Sequence, residues 1–65
     1  MHGRTGRVTG AIGPGLVGEV MVAVRGGVEA FYAYPYVPGD QMAVGDTVLV
    51  MEYDPPRSVR VAPTS

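Results

Sequence analysis

GEVMVAVRGGVEAFYAY, residues 18–34, is two alternating runs joined by a pair of glycines. In the first run Val20, Val22 and Val24 recur every second residue, the period that puts side chains on one face of an extended chain. A helix would scatter these valines around its circumference. Gly26-Gly27 sits where the alternation breaks, and two such residues between alternating runs signal a tight hairpin, because the turn needs positive φ. The second run, Val28–Tyr34, carries the aromatic cluster Phe31, Tyr32 and Tyr34.

The same grammar extends in both directions. Upstream, Gly6–Ile12 (GRVTGAI) alternates and ends at Gly13-Pro14-Gly15. Downstream, Pro35, Pro38 and Gly39 break regular pairing and a long loop leads to Gly45-Asp46. Thr47–Tyr53 (TVLVMEY) is a fourth strand, Asp54-Pro55-Pro56 turns the chain, and Arg57–Ala62 (RSVRVA) is a fifth. Strands are therefore expected at 6–12, 18–25, 28–34, 47–53 and 57–62 of one domain over 1–65, with a frayed tail at 63–65. Five short strands cannot leave two edges open and still bury enough apolar area, and closure into a barrel removes both edges. The expected fold is all-β: a small five-stranded antiparallel barrel. The long connection after the third strand favours an oligonucleotide/oligosaccharide-binding (OB) type over an SH3-like barrel, which is the alternative.

Composition narrows the function classes. The chain has 65 residues, 46% of them apolar and 17% charged, which suits one small folded domain with an economical core. No cysteine is present, so neither disulfides nor thiolate metal sites hold the fold. Five arginines, spread from Arg4 to Arg60, face six acids with no lysine, for a net charge of −1. Nucleic-acid binders usually display a basic face, so this balance counts against nucleic acid as the main ligand. No apolar stretch reaches the roughly 20 residues that span a bilayer, and no signal peptide is evident. As given, the chain reads as a soluble domain.

Candidate catalytic chemistry fails on geometry. Thr5, Thr9, Thr47, Ser58, Thr64 and Ser65 supply hydroxyls, but the single imidazole is His2, next to the terminus. A nucleophile needs a base held within hydrogen-bond reach. Asp40, Asp46, Glu52 and Asp54 could gather at one end of the barrel. Beside Pro and Gly, such aspartates more simply bond to the local backbone of turns. Gly10-x-x-Gly13-x-Gly15 looks like a phosphate loop, yet a strand follows it where the motif requires a helix. No enzyme, cofactor or metal site is expected. Arg25 and Glu29 are placed to flank the hairpin as an exposed pair.

The order of motifs resembles the C-terminal soluble domain of the NfeD family. Gly3, Gly6 and Val8 match its opening G-x-x-G-x-V; Gly18, Val20 and Val22 match G-x-V-x-V, with Gly27 as the turn glycine. Phe31 and Ala33 match an aromatic two before an alanine. Gly45, Val48 and Val50 match G-x-x-V-x-V, and Val59 and Val61 the closing V-x-V. The resemblance covers nearly the whole chain and rests on glycines and valines, which specify a fold better than a chemistry. It implies a five-stranded OB-like barrel hung from a membrane-spanning segment and working beside stomatin-like (SPFH) membrane proteins. Some members carry a serine protease domain upstream, and nothing of it matches here. Tyr34-Pro35-Tyr36-Val37-Pro38-Gly39-Asp40 is longer and richer in proline than the family pattern.

The resemblance also puts Phe31 and Ala33 in the core, which turns Tyr32 and Tyr34 outward. The same parity sends Val20, Val22, Val24, Val48 and Val50 inside and leaves Met21, Ala23, Leu49, Met51 and Tyr53 outside. That is a large apolar patch for a small monomer. The interaction surface expected from it comprises Met21, Tyr32, Tyr34, Tyr36, Met51 and Tyr53, on a non-catalytic module that docks a stomatin/SPFH-type protein or a second copy of itself. Half-burial of both faces in a strongly coiled barrel would account for the same residues without a partner. The alternative function is an OB domain for single-stranded nucleic acid, with the tyrosines as stacking platforms and Arg25, Arg57 or Arg60 on phosphates.

Overall fold

The computed structural model describes residues 3–64, which form five strands. They are β1 (Thr5–Gly10), β2 (Gly18–Val24), β3 (Gly27–Pro35), β4 (Thr47–Asp54) and β5 (Ser58–Pro63). The sheet closes in the order β1-β2-β3-β5-β4. Four of the five pairings are antiparallel, but β3 and β5 run parallel, Tyr32 beside Ser58 through Pro35 beside Val61. The expected all-antiparallel barrel is corrected at that seam, since alternation along a strand encodes which face is buried and not the direction of its neighbour. Segment 36–46 carries the chain from β3 across to β4 and leaves room for β5 between them. That is the OB-type order, as the long connection suggested, and the SH3-like alternative does not describe it.

The pleat sorts the side chains as the valines predict. Val8 of β1, Val20 and Val22 of β2, Phe31 and Ala33 of β3, Val48 and Val50 of β4, and Val59 and Val61 of β5 are buried together, with Val24 at the rim. Each buried valine or larger side chain contributes on the order of 1.5–3 kcal/mol. β-branched side chains also suit a pleated, tightly coiled sheet.

Four local readings are corrected. The hairpin turns at Arg25-Gly26, because Gly27 already pairs with Val24, and Gly26 supplies the positive φ of +81°. β1 ends at Gly10, where the register with β2 slips, so Ile12 lies outside the ladder. Ile12 instead exchanges two backbone hydrogen bonds with Met42, each 2.9 Å, and both side chains are buried as a plug in that end of the barrel. The tail is held as far as Thr64: Pro63 pairs with Val48, and the Thr64 hydroxyl donates to the Thr47 carbonyl at 3.2 Å. Ser65 and His2 lie outside the described residues.

The fourth correction concerns β4. Val50 pairs with Val61, Glu52 with Arg60 and Tyr53 with Val59, so one extra residue, Met51, interrupts the register. Such a bulge reverses the parity beyond it. Tyr53 therefore shares the inward side of Val59 at the end of the barrel, where its side chain is still 40% exposed.

Candidate docking surface

β3 presents Tyr32 and Tyr34 on its outer face because Phe31 and Ala33 occupy the core positions between them. β3 ends at Pro35 and the chain bends, with the Tyr36 amide still donating to the Val61 carbonyl at 2.8 Å. Tyr36 thus stands just past the end of the row. The three rings are 54%, 41% and 46% exposed. Tyr32 stands beside Glu19 of β2 and Ser58 of β5, and Tyr34 beside Arg60 of β5.

The other expected surface residues are dispersed. Met21 is half-buried on β2, opposite Ala30, one strand from the tyrosine row. Met51 sits at the bulge of β4, half-buried, with β5 between it and the row. Leu49 is half-buried too. The strong coiling of a small barrel covers these side chains, so the broad apolar patch contracts to the tyrosine row. Tyr53 closes the opposite end of the barrel from the Ile12–Met42 plug. Its ring meets Phe31 edge to face, centroids 6.1 Å apart and planes at 88°. Its hydroxyl donates to the Pro56 carbonyl at 3.1 Å.

The charges near the row are largely satisfied. Arg60 Nε lies 3.2 Å from Asp54 Oδ2 and 3.3 Å from Glu52 Oε1. Asp54, read as a turn residue bonding to the local backbone, is instead a partner of Arg60. Arg57 Nη1 donates to Glu29 Oε1 at 2.9 Å while its guanidinium stands 5.4 Å above the Phe31 ring. Glu29 therefore pairs with Arg57 and not with Arg25, which the turn carries away. Asp46 does act as a turn residue, its Oδ2 accepting from the Ala43 amide at 2.9 Å. Among the described residues no three carboxylate or imidazole groups are grouped to hold a metal ion. No helix among them is long and apolar enough to cross a membrane.

A closed barrel in this order is of the OB type, and an aromatic row runs along the outside of its third strand. The family model for the NfeD C-terminal domain matches residues 5–62, and the chain belongs to that family. It is similar to the soluble domain of the NfeD protein YuaF from Bacillus subtilis, known from a solution structure. That likeness has a TM-score of 0.80 at 31% identity, covering 95% of this chain and 71% of that one. No curated protein matches the chain.

Proposed function

We propose that this domain is a non-catalytic protein-interaction module, the water-exposed part of a membrane-anchored NfeD-like protein, which docks an SPFH-type membrane protein on its tyrosine row. The observation that carries the reading is Tyr32 and Tyr34 at alternate positions of one rigid strand with Tyr36 just past its end, each about half exposed. Tyrosine buries a large amphipathic ring at low entropic cost, and such residues anchor protein interfaces. A large apolar group buried fully contributes on the order of 1.5–3 kcal/mol, so a few anchors suffice to offset the cost of association. Met21, one strand away, extends the contact with an adaptable side chain.

The test is the double variant Tyr32→Ser/Tyr34→Ser, assayed for binding to the SPFH-type partner domain. A folded variant that no longer binds supports the reading. Unchanged binding by the folded variant removes it.

A second reading has one observation in its favour: OB barrels use the face of their second and third strands for oligonucleotides, and the tyrosines stand there. Stacking alone holds a strand weakly without cations on its phosphates. Arg60, beside Tyr34, already faces two carboxylates. Protein docking remains the stronger reading.

A further inference from the structure

The geometry points to a second copy of this chain as the occupant of the free edge of β3. Residues 28–30 pair antiparallel with the same residues of that copy, about a two-fold axis at Glu29. The contact is made by backbone groups, and it requires neither the tyrosine row nor an SPFH-type protein.

β3 is longer than the strand beside it. β2 pairs with it from Gly27 to Ala33, whereas β5 reaches only Tyr32–Pro35. The Tyr32 amide donates to the Arg57 carbonyl at 2.8 Å, so Tyr32 turns its backbone groups away from β2. Backbone direction alternates along a regular strand, and β3 has no register shift against β2. Val28 and Ala30 therefore turn their N–H and C=O groups the same way as Tyr32, onto the side that β5 does not reach. The other edge of the hairpin agrees. Ala23, opposite Val28, turns its carbonyl away from β3, and Arg4 Nη1 donates to it at 3.0 Å. Arg4 thus covers the edge of β2, but among the described residues no group bonds to the outward N–H or C=O of Val28 or Ala30. A cleft of about 220 Å³, lined by Glu19, Ala30, Phe31, Tyr32 and Arg57, leaves the space beside Ala30 open.

A free strand edge recruits another strand unless lysine, proline, a bulge or an unpaired charge blunts it. The chain has no lysine, and β3 has no proline before Pro35 and no bulge against β2. Its one charge, Glu29, is neutralised by Arg57 at 2.9 Å. The edge is also self-complementary, which a two-fold interface requires. With Glu29 on the axis, Val28 stands opposite Ala30 of the second copy and exchanges both backbone bonds with it, and the symmetric pair does the same. Every outward donor then meets an outward acceptor. Val28, 58% exposed, gains an apolar neighbour. The two glutamates at the axis each keep their own Arg57, so the charges there sum to zero. Gly27 falls opposite Phe31 of the second copy, in a pair of the closely approaching kind. Its own chain does not demand glycine there, since its φ is not positive and a Cβ would meet nothing within 4 Å. Glycine in a strand often marks the close approach of another backbone. An unrelated extended segment would match the backbone groups but neither the symmetry nor Gly27.

So short an edge buries less than the roughly 1,200 Å² of a stable interface, so the dimer is weak, with a Kd on the order of 0.1–1 mM. The test is a dilution series of the ¹⁵N-labelled domain alone, from about 2 mM to about 20 µM, read by amide shifts and sedimentation equilibrium. Expected are saturable, concentration-dependent shifts at 27–31 and a mass approaching that of two chains. Val28→Pro removes an outward donor without touching the pairing with β2, and Gly27→Val crowds the contact with Phe31. Each is expected to weaken association about tenfold or more while the spectrum stays that of a folded barrel. If Val28→Pro does not fold, Gly27→Val decides. No concentration dependence, shifts confined to other surfaces, or undiminished association in the folded variants would overturn the proposal. So would shifts at 27–31 that appear only with an added threonine–valine peptide while the domain stays monomeric, since the edge would then belong to another chain. With no SPFH-type protein in the sample, either result leaves docking on the tyrosine row to its own test.

Discussion

Phe31 and Tyr53 meet edge to face beneath the guanidinium of Arg57 and close one end of the barrel. The contact exists because the bulge at Met51 turns Tyr53 toward the interior side of the sheet. It separates Tyr53 from the other tyrosines in role as well as position. Edge-to-face pairs add about 0.5–1.5 kcal/mol beyond the area they bury. Tyr53→Ser is expected to lower stability by about 1–3 kcal/mol in urea denaturation, whereas Tyr32→Ser changes it by less than about 0.5 kcal/mol. Equal losses would mean that Tyr53 is another surface ring.

Gly18 opens β2 directly under the Ile12 plug. A Cβ there would run into the Ile12 side chain and stand 2.8 Å from the Ala33 carbonyl oxygen, and neither neighbour has a free direction to yield. Gly18→Ala is expected to cost about 1–3 kcal/mol through overpacking, a large share of what a domain this size possesses. Gly27→Ala is the control, since a Cβ at Gly27 meets nothing within 4 Å. Thermal unfolding of the pair should show a clearly lowered midpoint for the first alone.

Arg57 and Arg60 form similar ion pairs in similar exposure, yet only Arg57 also covers an aromatic ring. Exposed pairs contribute about 0.2–1 kcal/mol and are screened by salt. Arg60→Ala should therefore lose little, and that loss should vanish at high ionic strength. Arg57→Ala should retain a salt-independent loss from uncovering Phe31, which Arg57→Met largely restores because the stem still packs. Urea denaturation at low and high salt separates the two.

The alternation of valines in β2, β4 and β5 was enough to read the core, because a half-buried strand leaves little freedom in which face its β-branched residues take. The tyrosine row was legible for the same reason: once Phe31 and Ala33 are inside, Tyr32 and Tyr34 have one direction left. What escaped was set by contacts distant in sequence. The parallel seam between β3 and β5 depends on the path of the 36–46 crossover. The Ile12–Met42 plug joins residues from two loops, and its only local sign is a bulky residue in each. The bulge at Met51 leaves no mark in TVLVMEY, so parity carried past it misses the turn of Tyr53 toward Phe31, although the ring stays exposed as expected.

The central claim is that the outer face of β3 binds protein and not nucleic acid. The most direct measurement is an amide proton–nitrogen titration of the labelled domain with the SPFH-type partner domain, run in parallel with a mixed-sequence single-stranded oligonucleotide at low salt. The account predicts saturable shifts at Tyr32, Tyr34 and Tyr36 with the protein and none on that strand with the oligonucleotide. Shifts on β2 and β3 produced by the oligonucleotide and reversed by salt, with no response to the protein, would contradict it.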